Sequence, residues 1–278
     1  MPAEQRIAEN LAFINWTVLT GLAVGAFGAV VLGRLRTDAT RGFLAFTAFC
    51  ASIFGLLAYL SDTALPATVP GSAIIPDPAF DQPRRLALIL FTVLAFAYGV
   101  AIARRSRAPA IGIGGLIAGV AALIAGALGW GGGLPSAVPV LLQLLVLTAA
   151  TGGVFAAMIL GHWYLMTPKL PEAPLMLFAR LLLSIVGLQL ALFVAWVATG
   201  SGTGGRPFAS LTGPWALFVW LRLLVGLLFP LVVSWAAVQT ARTRSMESAT
   251  GLLYINVGTI AAGAILAAGL YFGAGMLV

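Results

Sequence analysis

Eight apolar runs, each about as long as a bilayer is thick, leave this chain no soluble fold. A helix needs about 20 apolar residues to cross the hydrocarbon layer. The runs are Leu11–Gly33, Phe43–Ser61, Leu86–Ala103, Ala110–Gly129, Val138–Leu165, Pro174–Thr199, Pro214–Thr240 and Ser248–Val278. Lipid admits only helices and closed barrels, and runs this long are not barrel strands. The expected fold class is therefore an all-α polytopic membrane protein with eight transmembrane helices. Composition agrees: 61% of the 278 residues are hydrophobic and 8% charged, against about 25% charged in soluble domains. The sixth to eighth runs are long enough to tilt or project. The first ten residues, MPAEQRIAEN, are polar. The run after them spans a bilayer and lacks a clean cleavage site, so it reads as a retained helix and not as a signal peptide.

The charges record orientation. Arg34, Arg36 and Arg41 follow the first run, Arg104, Arg105 and Arg107 the third, Lys169 the fifth, and Arg242 and Arg244 the seventh. The other side holds Arg6, Arg84, Arg85 and Arg206, with Asp62, Asp77 and Asp81. The positive-inside rule then predicts both termini on the non-cytoplasmic side of a bacterial-type inner membrane. The net charge of +7 is spent on this pattern, and no nucleic-acid partner is expected. The longest loop, about residues 62–85, is read as external. Pro66, Pro70, Pro76, Pro78 and Pro83 make it a stiff extended segment over the bundle.

The halves look alike. Val18-Leu19-Thr20, Gly25, Phe27, Ala29 and Leu32-Gly33 recur without a gap as Val146-Leu147-Thr148, Gly153, Phe155, Ala157 and Leu160-Gly161. Ser52-Ile53-x-Gly55-Leu56 recurs as Ser184-Ile185-x-Gly187-Leu188, Ala103-Arg104 as Ala241-Arg242, and Gly115-Leu116 as Gly251-Leu252. The pattern reads as two tandem four-helix units, 1–134 and 135–278. An even helix count gives them parallel orientation about an axis along the membrane normal.

Few residues are left to carry chemistry. No Asp or Glu lies inside a run, which disfavours carboxylate-based proton or sodium pathways and magnesium–phosphate chemistry. One cysteine, Cys50, and one histidine, His162, exclude an internal disulfide, a Cys-ligated zinc or iron–sulfur site, bis-histidine haem and a His-rich metal site. Haem held by His162 and Met158 is disfavoured, because both lie on one helix. Gly200-x-Gly202-x-x-Gly205 fits a dinucleotide fingerprint, but it follows a membrane helix and reads as a loop. Ser245 and Glu247 suit a helix N-terminus. No catalytic residue and no metal ligand is assigned.

Ligand-binding candidates remain. Arg180 and Arg222 each sit roughly 10 Å inside a run. Arg180, Ser184 and Gly187 share a face whose small residues suggest inward packing. His162 closes the one-face stripe Thr148, Thr151, Phe155, Met158, His162, beside Trp163 and Tyr164. A His162–Arg180 pair with Tyr164 would form a site at the cytoplasmic face, and Arg222 with Asp62 one at the outer face. Pro230 should kink the seventh run and free a carbonyl near Gly226, one turn from Arg222. The plainer readings are snorkelling arginines, an aromatic belt around His162, and interhelical glue for Gln189, Tyr254, Asn256 and Thr259.

In helix count and duplication the chain resembles the haem-free membrane anchors of the polysulfide-reductase and NrfD type. The resemblance rests on architecture and supplies no site residue. It implies a quinone- or lipid-binding subunit of a larger, redox assembly, with membrane lipids and other protein subunits as partners. Quinone would be the only cofactor, and the chain would not be an enzyme on its own. The alternatives are a small secondary transporter for an anionic or apolar solute, and a purely structural membrane subunit.

Overall fold

The structure, a computed structural model, describes residues 2–69, 72–167 and 170–278. Pro70 and Lys169 of the sequence reading lie outside those residues. The described chain is helical and contains no strand. A short helix α1 (Ala3–Glu9) precedes α2 (Leu11–Arg36), α3 (Arg41–Thr63), α4 (Asp81–Ala103), α5 (Pro109–Trp130), α6 (Leu134–Met166) and α7 (Ala173–Thr199). Then α8 (Ala216–Leu223), a π-helical turn Leu224–Leu228 and α9 (Phe229–Arg242) run on as one span, followed by α10 (Met246–Ala274). Eight of these segments are long and apolar enough to cross a membrane. The expected runs match them within a few residues, except that α4 starts at Asp81, five residues before Leu86. The longest is α6, whose 33 residues span about 50 Å, so it reaches beyond the hydrocarbon.

Burial follows the logic of a membrane protein. Large apolar side chains such as Ile53, Leu60, Val93, Phe96, Leu217 and Val232 point outward. On a soluble protein such a surface would aggregate; in lipid it is the solvated face. Thr17, Thr20, Gln143, Thr151, Gln189, Arg222, Ser234 and Asn256 are buried instead. Several hydroxyls settle their bond within their own helix, as Thr17 does by donating to the Phe13 carbonyl and Thr151 to that of Leu147.

Helices α2 to α5 pack in succession, with α5 returning to α2. Helices α6, α7, α8–α9 and α10 do the same, with α10 returning to α6. The two sets meet along α2 and α6, flanked by α2–α10 and α5–α6 contacts. At the α2–α6 crossing the backbones touch. A methyl group on Gly25 would overlap the Thr148 carbonyl oxygen and lie 2.9 Å from Gly152 Cα, and one on Gly152 would overlap the backbone of Gly25 and Ala26. Only glycine permits this approach, and close backbones maximise dispersion where lipid supplies no hydrophobic force. Inside the first set Phe27 stands edge-on to Phe91 and Tyr98, at 5.5 and 5.7 Å between ring centroids.

The segment between α3 and α4 is less of a loop than its prolines suggest. Residues 62 and 63 finish α3 and residues 81–85 open α4. In between, Ser72 Oγ and the Ala73 N–H both donate to the Phe272 carbonyl, and the Asp77 N–H donates to that of Gly129. The segment therefore straps α3–α4 to the far ends of α5 and α10.

Candidate functional site

Two ends of the bundle can be told apart. One gathers Arg34, Arg36, Arg104, Arg105, Arg107, Arg242 and Arg244, at the ends of α2, α4 and α9. The opposite end holds the α3–α4 strap. The expected site residues are dispersed between them.

The sequence reading paired Asp62 with Arg222; instead Asp62 is fully buried at the strap end and does not meet Arg222. It pairs with Arg84, which is 1% exposed, and with Arg85 Nε at 3.0 Å. Arg84 Nη2 also reaches Asp81 at 3.0 Å, and its guanidinium lies 4.9 Å from the Trp130 ring and 5.9 Å from that of Trp16. Two acids and two arginines thus neutralise one another under an indole cage, where a cation gains from the ring faces. The sequence reading placed Arg84 among loop charges. With α4 starting at Asp81, it sits in the first turn of a helix and faces the bundle.

Arg222 is 2% exposed, and among the described residues it has no acidic partner. Its Nη2 donates to Gln189 Oε1 at 2.9 Å and its Nη1 to the Gly226 carbonyl at 3.2 Å, while Nε finds no acceptor. Gln189 is fixed in turn by donating to the Val146 carbonyl at 2.9 Å. The Gly226 carbonyl is the one Pro230 deprives of its helical N–H. Here the helix resolves the loss by a π-helical turn, a device frequent at functional positions. Gly226 meets Gly263 of α10 closely: a methyl group on either lies 2.7 Å from the other's Cα. Nearby, Asn256 donates to Ser234 Oγ at 2.8 Å.

The arginine-rich end differs from expectation. His162 is exposed and meets Tyr254 of α10 at 3.3 Å, so its partner is not Arg180. Arg180 and Ser184 are exposed on α7, and the Ser184 hydroxyl donates to the Arg180 carbonyl on its own helix. The face expected to pack inward points out of the bundle, and the intrahelical bond leaves the Ser184 hydroxyl satisfied there without a neighbour. Tyr164 is buried, and its hydroxyl donates to the Pro171 carbonyl. It ties the end of α6 to Pro171, just before α7. Arg244, beyond the end of α9, bridges to Glu172 at 2.5 Å. Ser245 precedes α10, but its hydroxyl donates to Ser248 Oγ and caps no backbone N–H.

A site unforeseen from the sequence lies between the two helix sets. A cleft of about 250 Å³ has its floor on the α2–α6 crossing, at Gly25, Gly28, Ala29, Thr148 and Gly153. Leu116 and Val120 of α5 form one wall, and Phe178, Leu181 and Ile185 of α7 the other. Thr148 is its one polar side chain. The wall residues Leu116, Val120, Leu181 and Ile185 are part-exposed, so the cleft opens sideways between α5 and α7. Gly25, which lets α2 and α6 touch, also lines this floor, and Gly28 and Gly153 hollow out the rest of it. That signal was present in the sequence, but no pairing of α2 with α6 was available to interpret it. Among the described residues no group of three or more His, Cys, Asp or Glu side chains gathers. Compared with known proteins, the chain matches no family model, no curated protein and no solved structure.

Proposed function

We propose that this integral membrane protein holds the apolar tail of a quinone or lipid between two four-helix units and serves as the membrane subunit of a larger, redox assembly. The observation that carries the reading is the cleft: apolar, at bilayer depth, and open to the side from which a membrane-dissolved chain would enter. Pockets of this shape, mostly apolar with a few polar groups, are the usual form of ligand sites. The two-unit reading draws support from the matched sequence registers and from the packing, in which corresponding helices α2 and α6 form the seam. The architectural likeness to quinol-binding membrane anchors supports the redox setting.

The test is to purify the whole chain in mild detergent, extract it with organic solvent and identify what was retained. A stoichiometric quinone or lipid is expected, together with further subunits. Gly153→Leu should abolish retention, because a methyl group there meets nothing within 4 Å and a larger side chain fills the cleft without displacing backbone. A lone chain that retains neither amphiphile overturns the reading. Transport of an anionic solute is the second reading. It rests on Arg222, a buried cation with amide acceptors only, beside a π-helical turn. Anion flux into liposomes that Arg222→Gln abolishes would favour it.

A further inference from the structure

We infer that the occupant of the cleft is an acyl chain of an anionic phospholipid, whose phosphate is met by Arg36 and Arg107. This rests on the cleft being a tail site, and it goes further by naming the headgroup. Leu32 lines the cleft, and Arg36 lies one turn beyond it on the same face of α2. That turn is about 6 Å of rise, which places Arg36 at the end of α2, beyond the Leu32 end of the cleft. At the same end of the bundle, Arg107 stands two residues before Pro109, the first residue of α5, whose Leu116 lines one wall of the cleft. Both arginines are exposed. Among the described residues neither forms a salt bridge, and Asp38, the acid nearest Arg36 in sequence, pairs with neither.

An apolar slot beneath two unneutralised guanidiniums is complementary to a molecule with one chain and one negative charge. A quinone is neutral and leaves both cations unmatched. A zwitterionic lipid brings its own ammonium to the same place. Guanidinium forks match phosphate oxygens in pairs, and basic pockets between membrane helices bind anionic headgroups by this chemistry.

The experiment is native mass spectrometry on the whole protein, reconstituted in phosphatidylcholine vesicles containing a minor share of phosphatidylglycerol and then released into detergent. The bound phosphatidylglycerol-to-phosphatidylcholine ratio is expected to exceed that of the vesicle. Arg36→Gln and Arg107→Gln should each lower it about fivefold, the effect of one surface arginine on an anionic lipid. Arg242→Gln, at the same end but on α9, which contributes no residue to the cleft lining, should leave it unchanged. Gly153→Leu should remove both lipids, with Gly28→Leu as a second filler of the same floor. Equal retention of the two lipids, or an equal fall with Arg242→Gln, overturns the headgroup assignment while the tail site stands. Unchanged retention in both leucine variants overturns the tail site itself.

Discussion

Replacing Asp62 by asparagine keeps the side chain's shape and removes its charge. In the wild type, fully buried Asp62 answers Arg84 and Arg85 together. Without it, Arg84 retains Asp81, which is 36% exposed, and the π faces of Trp16 and Trp130. Breaking a buried pair by deleting one partner costs about 3–5 kcal/mol, because the remaining charge stays desolvated. At about 2–4 °C per kcal/mol for chains of this general size, the unfolding midpoint in a fixed detergent should fall by about 6–20 °C. Arg85→Gln is the internal control. Arg85 is 32% exposed, so solvent screens it, and its loss should cost at most about 1 kcal/mol. Asp62→Asn combined with Arg84→Met should recover much of the deficit, because the double variant removes the orphaned charge and keeps an apolar stem on Trp130. The assay is thermal unfolding of all four proteins, read by static light scattering and tryptophan emission. If Asp62→Asn is as mild as Arg85→Gln, the ion pair is hydrated and the cage does not desolvate it.

Other perturbations test the remaining features. Gly25→Ala and Gly152→Ala should each cost about 3 kcal/mol or more, since overpacking here displaces backbone, while Gly153→Ala should be neutral; thermal unfolding separates them. Gln189→Leu leaves the Arg222 guanidinium a single carbonyl acceptor and should cost about 3 kcal/mol, most of it recovered by adding Arg222→Met. His162→Ala and Arg180→Ala change exposed side chains and should shift stability by less than about 0.5 kcal/mol without altering retention of the bound amphiphile. In a Cys50→Ala background, Ala108→Cys should react only with a membrane-permeant thiol reagent and Ala73→Cys with an impermeant one; the reverse result inverts the proposed orientation.

What the sequence made legible depended on whether the determining contact was local or distant. Each span could be read from its own twenty-odd residues, because lipid forces every backbone group to be satisfied within the segment. The Gly226 carbonyl beside Arg222 was legible for the same reason: Pro230 frees the carbonyl four residues earlier whatever the rest of the fold does. Arg84 was not. Its burial needs an acid from α3 and indoles from α2 and α5, and nothing within α4 announces that they converge. Arg180 failed in the opposite sense. The small residues on its face permit close packing, yet Ser184 satisfies its hydroxyl on its own helix, so nothing obliges a neighbour to approach. Permission and requirement look alike in a sequence. They separate at the α2–α6 crossing, where Gly25 and Gly152 are required because their missing side chains are where the other backbone runs. Gly153, one residue along, is merely permitted, and the space it leaves becomes part of the floor of the cleft. A glycine-rich helix therefore encodes both a seam and a vacancy, and the partner helix decides which glycine does which.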